Sequence, residues 1–322
     1  PNSPTLMNAG TDIQQLSACF VIPIEDSIDG IFDALKSAAL IHKSGGGVGY
    51  SFSRLRPKNS SVYTTHGVAS GPVSFMKIFD AATDAIKQGG KRRGANMGIL
   101  RVDHPDILEF VNSKLDGKTL NNFNISVAIT SDFMKALKNS QDYELKDPKS
   151  KKYVGKLSAR AVFENIVTNA WRRGDPGVIF IDRIIDKNMC KHLAEIESTN
   201  PCGEMPLIPY ESCNMGSINL NSCIKDGKFD FEKFKILIHD GVHFLDNVID
   251  VNKYPMKEIE KMSRGTRKIG LGIMGFSDIL FQLAIPYDSE EGVKFAEKLM
   301  KFMYEEASKK SEELAKTRGI LF

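Results

Sequence analysis

Five residues, Asn200-Pro201-Cys202-Gly203-Glu204, place an amide, a thiol and a carboxylate side by side on one short stretch of the chain. Proline fixes its φ angle and glycine relaxes its own, so the stretch predicts a shaped loop and neither a helix nor a strand. On such a loop the side chains of Asn200, Cys202 and Glu204 can point into one small space. This combination of groups indicates a reaction centre. A buried structural cysteine beside a turn explains the five residues about equally well.

Composition favours an ordinary globular protein. The chain has 322 residues, of which 42% are hydrophobic and 26% are charged, so a large core in one large or two ordinary domains is expected. The net charge of +3 is too small to argue for a nucleic-acid or membrane partner. Without an apolar run of membrane-spanning length or a signal peptide at its start, the chain is predicted to be cytoplasmic.

Cysteine usage indicates a reducing compartment, in which thiols are chemical and not structural. The cysteines are few and odd in number, at Cys19, Cys190, Cys202, Cys213 and Cys223. Zinc is disfavoured because no CxxC pair occurs and His192 is the histidine nearest to the cluster. We therefore predict no metal site.

The loop closely resembles the active-site loop of ribonucleotide reductases, and its Asn-Pro-Cys-Gly-Glu wording is most similar to the adenosylcobalamin-dependent class II enzymes. The resemblance runs in order from Asn2 to about Ser277. It implies reduction of a ribonucleoside di- or triphosphate to the 2′-deoxyribonucleotide, for DNA synthesis and repair. It also implies an adenosylcobalamin cofactor, a thioredoxin- or glutaredoxin-type reductant, deoxynucleotide or ATP effectors and a homodimer, with no direct nucleic-acid binding.

Strands and helices alternate from about residue 20 to residue 181, which favours an α/β barrel or a doubly wound sheet. The resemblance implies part of a ten-stranded α/β barrel, with the catalytic cysteine on a loop inside it. Residues 1–322 are expected to form a single catalytic barrel domain. That domain is expected to be incomplete at both ends, with an N-terminal region and the C-terminal part of the barrel missing, because the chain begins without Met and ends directly after a predicted helix.

Two element predictions concern the second half of this alternation. The segment from Ser158 to Trp171 is amphipathic and predicts a helix that turns Phe163 and Val167 inward with Ile166 and Ala170. Residues 177–181 are apolar throughout, which predicts a strand buried on both faces.

The resemblance assigns chemical roles to five residues. Cys202 becomes a thiyl radical that takes the 3′-hydrogen of the ribose, Glu204 is the general base for the 3′-hydroxyl, and Asn200 orients the hydroxyls. Cys19 and Cys213 deliver two electrons and end as a disulfide, which requires Cα atoms within about 7 Å of each other. Enclosure of the site is expected to protect the thiyl from side reactions.

The substrate is expected to contact the catalytic loop and two segments near the N-terminus. Many reductases have a hydroxyl residue before the first redox cysteine, but this chain has Ala18, so Ser17 or Ser3 is expected to contact substrate instead. The glycine-rich stretch 44–50 could be a phosphate cradle or a tight turn. The full predicted set is Ser3, Ser17, Ala18, Gly46, Gly47, Asn200, Pro201, Cys202, Gly203 and Glu204.

Effector binding is assigned by resemblance to the start and the end of one helix and to two specificity loops. On the residues alone, Asp26 and Ser27 are ordinary helix-capping residues and the basic loops are solvated. The family's pattern implies a deoxynucleotide held at a dimer interface, where two helices from each protomer form a four-helix contact. The predicted effector-binding residues are Asp26, Ser27, Ile28, Lys43, Arg56, Lys91, Arg92 and Arg93.

Three other functions fit parts of the sequence. An iron-dependent class I large subunit is one, although such relatives usually have Leu in place of Pro201. A non-catalytic nucleotide-binding fragment is another, because the family's substrate-phosphate loop and reducing cysteines would lie beyond Phe322. A hydrolase that uses Cys202 with His192 is the third, and it requires a thiol of depressed pKa.

Overall fold

The structure, a computed structural model, describes residues 1–62, 67–86 and 94–319. The predicted effector-binding residues Lys91, Arg92 and Arg93 lie outside these ranges. The chain divides into a central unit, Cys19–Ser212, and a terminal unit, which combines Pro1–Ala18 with Cys213–Phe322. Among the helices of the described ranges, none has the length and apolar character needed to cross a membrane.

Helices and strands occur in both units and alternate through the central one. The helices are α1 (Ser3–Asn8), α2 (Ile28–Lys43), α3 (Pro72–Ala85), α4 (Ile107–Asn112), α5 (Ser131–Lys138), α6 (Ala159–Arg173), α7 (Ile181–Lys187), α8 (Phe231–Val251), α9 (Lys257–Thr266), α10 (Phe276–Gln282) and α11 (Glu290–Arg318), with a 3-10 helix at Leu220–Cys223. The strands are β1 (Cys19–Val21), β2 (Gly47–Ser51), β3 (Ser61–Val62), β4 (Gly67–Val68), β5 (Asn96–Arg101), β6 (Phe123–Ile129), β7 (Asp142–Lys146), β8 (Tyr153–Ser158), β9 (Gly177–Phe180), β10 (Ser198–Thr199), β11 (Pro206–Leu207), β12 (Ser212–Asn219), β13 (Ile224–Lys225), β14 (Lys228–Phe229) and β15 (Ile269–Met274).

A parallel sheet in the order β1-β2-β5-β6-β9 organises the central unit. Parallel neighbours need a crossover connection, and α2, α3 and α6 lie in three of these crossovers. The prediction of an α/β fold is therefore confirmed. All strands of this sheet begin at the same edge, so the first residues of β1, β2 and β5 are neighbours.

The first two crossover helices begin at residues that favour a helix start. The hydroxyl of Ser27 caps α2 by accepting a hydrogen bond from the Gly30 amide at 3.0 Å, and Pro72 occupies the first turn of α3. The two helices pack against each other. Ile31 of α2 and Met76 of α3 are buried on the inward faces of the two helices, as in amphipathic helices that pack on a core.

Four aromatic rings form the centre of the central unit's core. Tyr50, Phe52, Phe79 and Phe123 are all buried, and neighbouring ring centroids lie 5.0 to 6.3 Å apart in tilted or edge-on pairs. They come from β2, the residue after it, α3 and β6. Each buried side chain of this size contributes about 1.5–3 kcal/mol relative to exposure, so the cluster fixes α3 against the sheet.

Two predictions of burial are wrong. In α6, Val162, Ile166 and Asn169 face inward, whereas Phe163 and Val167 are exposed. The buried face includes the polar Asn169, whose amide donates to the carbonyl of Val111 at 3.1 Å, so this face is not the most apolar one of the helix.

The last strand also differs from its prediction. Val178 and Phe180 of β9 are each 42% exposed, although the strand is apolar. Among the described residues of the central unit, β9 pairs only with β6 and lies at the edge of the sheet. An apolar run predicts a doubly buried strand only when its neighbours cover it on both faces.

The terminal unit has its own core. Strand β12 pairs in parallel with β15, and α8 packs against both β15 and α11. Buried side chains shared among these elements form the core, at Ile218, Leu220, Cys223, Phe234, Ile238, Val242, Ile279, Leu299 and Met303. The N-terminal segment joins this unit through the Asn2 amide, which donates to the Met215 carbonyl at 2.7 Å.

Candidate active site

The predicted loop joins the two strands of a short hairpin. Strands β10 and β11 are antiparallel, with Thr199 opposite Pro206. Asn200 closes the loop, because its side-chain Oδ1 accepts from the Met205 amide at 2.9 Å and its own amide donates to the Met205 carbonyl at 3.1 Å. Gly203 has a φ of +82°, which a residue with a side chain rarely adopts. The prediction of a shaped loop is confirmed.

Glycines of β2 allow the hairpin to lie directly on the sheet. A Cβ atom added at Gly49 would lie 1.6 Å from the Thr199 carbonyl oxygen, and one at Gly47 would lie 2.6 Å from Cγ of Pro201. Gly46 instead faces the core, where an added Cβ would meet Phe20 at 2.5 Å. Close backbone approach is therefore a structural reason for the glycine-rich stretch that the sequence left between a phosphate cradle and a tight turn.

Asn200 also meets Cys19. Its Nδ2 donates to the Cys19 sulfur at 3.1 Å, although the two residues are 181 positions apart. Asn200 is fully buried and Cys19 is 5% exposed. One amide side chain thus fixes the loop with its oxygen and contacts a thiol with its nitrogen, so two predicted catalytic residues lie together.

Cys202 and Glu204 lie on the outer part of the loop and are exposed. The expected enclosure of Cys202 is not found within the described residues, and the loop geometry explains why. Pro201 is buried, and its carbonyl accepts from Nδ2 of Asn124 at 2.8 Å. The base of the loop is thereby held inward, and the exposed Cys202 lies between this anchored proline and the left-handed turn at Gly203.

The remaining predicted site residues belong to the terminal unit. Ser17 is buried, and its hydroxyl accepts from Nδ2 of Asn252 at 3.0 Å. The Ala18 amide donates to the Cys213 carbonyl at 3.1 Å, and Cys213 is itself buried. Ser3 is exposed at the start of α1.

Predicted effector-binding residues cluster at the start of α2. The amide and Nε of Arg56 donate to the Asp26 carboxylate at 3.1 and 2.9 Å. Ser27 caps the helix, and Ile28 is 62% exposed beside it. Lys43 is exposed at the other end of this 16-residue helix, about 24 Å away along the axis at 1.5 Å per residue.

Sequence reasoning missed a salt-bridge network beside this cluster. The Arg54 guanidinium donates to both oxygens of Glu197, at 3.0 and 2.7 Å, and also to Glu25. Glu197 directly precedes β10, so this arginine contacts the stem of the catalytic hairpin. No local pattern could have revealed the pair, because its members are 143 positions apart.

A buried histidine supports the start of β2 and was also missed. Nδ1 of His42 lies 3.0 Å from the Gly46 carbonyl, and Nε2 lies 3.0 Å from Oδ1 of Asn96. Asn96 in turn donates to Thr83 at 2.8 Å. Burial lowers the pKa of His42 below its usual 6.5, although its two hydrogen bonds act to raise it.

A metal site of protein ligands usually needs three or more His, Cys, Asp or Glu side chains grouped together. Across residues 1–62, 67–86 and 94–319, no such group could hold an ion.

The chain is similar to proteins named as ribonucleotide reductases. The family model described as "Ribonucleotide reductase, barrel domain" matches residues 17–322. A vitamin B12-dependent ribonucleoside-diphosphate reductase of Thermoplasma acidophilum is 58% identical over 99% of the chain and 42% of that protein. Its namesake from Mycobacterium tuberculosis is 47% identical over 99% of the chain and 46% of that protein. The ribonucleoside-diphosphate reductase large subunit of vaccinia virus is 32% identical over 98% of the chain and 45% of that protein. The chain spans less than half the length of each relative.

Proposed function

The chain belongs to the ribonucleotide reductase family, and from this premise we propose that it carries the reaction centre of a vitamin B12-dependent ribonucleoside-diphosphate reductase. The reaction is reduction of a ribonucleoside diphosphate to its 2′-deoxy form by a thiyl radical, for DNA synthesis and repair. The observation that carries the proposal is the 3.1 Å contact of Asn200 with Cys19, because it unites two distant parts of the family's pattern.

In this proposal Cys202 takes the 3′-hydrogen atom of the ribose and later returns it. Glu204, two residues on, accepts the 3′-hydroxyl proton when the substrate comes within hydrogen-bond reach. Asn200 orients the ribose hydroxyls. The loop geometry supports these roles, since Asn200 is held rigidly by Met205 while Cys202 and Glu204 are exposed and accessible to a ligand.

Cys19 and Cys213 are the proposed source of the two electrons. Their thiols give up two hydrogen atoms as two protons and two electrons, the 2′-hydroxyl leaves as water, and the sulfurs join as a disulfide. Each turnover thus converts one ribonucleotide and one dithiol into one deoxyribonucleotide, one disulfide and one water. A thioredoxin- or glutaredoxin-type reductant then restores the thiols.

Adenosylcobalamin is the proposed cofactor, and when bound it supplies a carbon radical able to take a hydrogen atom from a thiol. The exposed position of Cys202 fits this role, because a large cofactor must approach the sulfur from outside the hairpin. Pro201 keeps the loop base against the sheet while Cys202 faces outward, so the side chain that would react is the one presented.

The proposal includes control by deoxynucleotide or ATP effectors in a homodimer. One nucleotide cannot easily bridge Asp26 and Lys43 within one chain, because they lie at opposite ends of α2. A second copy of the helix would bring a Lys43 beside Asp26. Exposed Ile28, Phe32 and Leu40 on α2 supply an apolar surface for such a contact.

Both units are proposed to belong to one cytoplasmic barrel domain, since a single family match runs through residues 17–322. An iron-dependent large subunit is less well supported, because the two relatives named vitamin B12-dependent are 58% and 47% identical to the chain. A non-catalytic nucleotide-binding segment would bind nucleotide without forming deoxynucleotide, and the experiment below distinguishes it from a reductase.

The test uses the full-length protein with adenosylcobalamin, a ribonucleoside diphosphate and a dithiol reductant. Cys202→Ser should abolish deoxynucleotide formation and leave nucleotide binding, measured by equilibrium dialysis, unchanged. Cys190→Ser, which alters a thiol outside the hairpin, should keep full turnover. Turnover by Cys202→Ser, or its absence from the wild type under these conditions, would refute the proposal.

A further inference from the structure

We propose that Arg54 is a positioning residue that couples effector binding at Asp26 and Arg56 to the catalytic hairpin. The inference rests on the proposed function, because it requires an anionic effector at this end of α2. It concerns contacts that lie entirely within the central unit. Arg54 does not touch the reacting atoms and acts through Glu197.

Arg54 and Arg56, two positions apart, form salt bridges with the adjacent residues Glu25 and Asp26 at the start of α2. Arg56 binds Asp26, and Arg54 binds Glu25, the residue immediately before Asp26. Of these two arginines, Arg54 is the one whose described contacts continue to the hairpin, where it donates to Glu197 at 3.0 and 2.7 Å. A single guanidinium therefore contacts both the proposed effector region and the hairpin stem.

The planar guanidinium is needed for this arrangement. Its Nη1 faces Glu25, while its Nε and Nη2 face Glu197, so two carboxylates are held in fixed directions. Lysine carries the same charge but has a single nitrogen without a fork, and it cannot hold both acids in this geometry. The carboxylate of Glu197 is only 25% exposed, which strengthens its interaction with Arg54 relative to a fully solvated pair.

The hairpin is packed tightly enough to transmit a shift at Glu197. Ser198 and Thr199, which follow it directly, are fully buried. The Thr199 carbonyl occupies the space that a side chain at Gly49 would need, and Pro201 occupies the space above Gly47. Because close-packed segments move as units, a displacement of Glu197 is passed to the loop that carries Cys202.

The charges suggest the direction of the effect. An effector phosphate that binds Arg56 competes with Asp26 for it and repels the neighbouring, 62% exposed side chain of Glu25. Arg54 then loses one of its two carboxylate partners and binds Glu197 more tightly. Effector binding should thus hold the hairpin stem more firmly and make Cys202 less accessible to reagents.

The experiment measures alkylation of Cys202 by iodoacetamide in the full-length protein, followed peptide by peptide by mass spectrometry. dTTP is the effector probe, and its binding is measured separately by equilibrium dialysis. In the wild type, saturating dTTP should slow alkylation of Cys202 at least about fivefold, the lower end of usual allosteric couplings. Cys190, which lies outside the hairpin, should be unaffected and serves as the internal reference.

In Arg54→Lys the effect of dTTP on Cys202 should vanish, while the dissociation constant for dTTP changes less than about threefold. Glu197→Gln should do the same, and the double variant should be no worse than either single one, because all three break one contact. Arg264→Lys alters an arginine of similar exposure that pairs with Glu260 in the terminal unit, and it should behave as the wild type.

The outcomes separate the inference from the proposed function. Failure of the wild type to bind dTTP would refute the effector proposal and the inference with it. A wild type that binds dTTP without protection of Cys202 would overturn only the coupling. Protection that persists in both Arg54→Lys and Glu197→Gln would overturn only the role of Arg54, and use of two variants covers the case in which one does not fold.

Discussion

At the scale of single residues, Asn200 has the most consequential contacts. Its carboxamide has one acceptor and one donor end, and the structure uses both, for the Met205 amide and for the Cys19 sulfur. The sequence predicted that Asn200 belongs to the site, because the motif contains it. Its partners could not be predicted, since the contact with Cys19 depends on how β1 and the hairpin meet.

Asn200→Ala should lower the free energy of unfolding by about 1–3 kcal/mol, because it leaves the Met205 amide without its acceptor in a partly buried position. Denaturant unfolding measures this change. Asn121→Ala removes an exposed amide that donates to the Lys118 carbonyl and should change the free energy by less than about 0.5 kcal/mol. Equal losses in both variants would contradict the role assigned to Asn200.

His42 provides a prediction about pH. Burial lowers its pKa in the folded state below the 6.5 of the unfolded chain, so the unfolded state binds more protons as the pH falls below 6.5. The stability contributed by neutral His42 is complete above pH 6.5 and declines towards its lowered folded pKa. The decline cannot exceed about 1.4 kcal/mol per pH unit for one proton.

The pH effect is measured by denaturant unfolding at intervals from pH 7.5 to pH 5. In His42→Gln the loss of stability below pH 6.5 should be shallower than in the wild type. Burial lowers the pKa of His104 as well, and the His42→Gln variant should therefore retain part of the pH dependence of stability. An unchanged slope in His42→Gln would show that this residue is not the titrating group.

At the scale of elements, the seat of the hairpin on β2 determines where the loop lies. Helices α2 and α3 could be predicted because Ser27 and Pro72 are local signals that act within one turn. The inward face of α6 and the exposure of β9 could not be predicted, because they depend on which elements pack beside them. The sequence showed the packing of the hairpin on β2 only as a glycine-rich stretch. Glycine is needed there because the Thr199 carbonyl approaches Gly49 closely.

Gly49→Ala should displace the hairpin, because the added Cβ would lie 1.6 Å from the Thr199 carbonyl oxygen. A cost of about 1–3 kcal/mol is expected for such overpacking, with faster alkylation of Cys202 as the loop loosens. Gly155→Ala, on strand β8, places its Cβ 3.9 Å from the nearest side chain and is the matched control. If both variants unfold at the same denaturant concentration, the hairpin does not depend on close approach to β2.

At the scale of the whole molecule, the proposed chemistry needs the catalytic loop and the two buried thiols of Cys19 and Cys213. The motif and the order of the segments were sufficient to predict the family and the α/β fold, since both are encoded locally along the chain. The exposure of Cys202 could not be predicted in this way, because it depends on the conformation of the loop around Pro201 and Gly203. The proposed radical reaction requires that Cys202 be covered during turnover, although it is exposed here.

This requirement can be tested by the rate at which each thiol of the reduced full-length protein reacts with iodoacetamide. Without ligands, Cys202 should react much faster than buried Cys19 and Cys213. A ribonucleoside diphosphate should slow the reaction of Cys202 because bound substrate covers the sulfur. Substrate binding that leaves Cys202 fully reactive would mean that the nucleotide does not sit over this loop.

The most direct test of the central claim is a single turnover by the reduced full-length protein with adenosylcobalamin and substrate, without any external reductant. Product and disulfides are then quantified together by mass spectrometry. We expect one deoxynucleotide per reacting protomer and one new disulfide between Cys19 and Cys213, with Cys202 still a thiol. Deoxynucleotide formation with Cys19 and Cys213 both still reduced would contradict it.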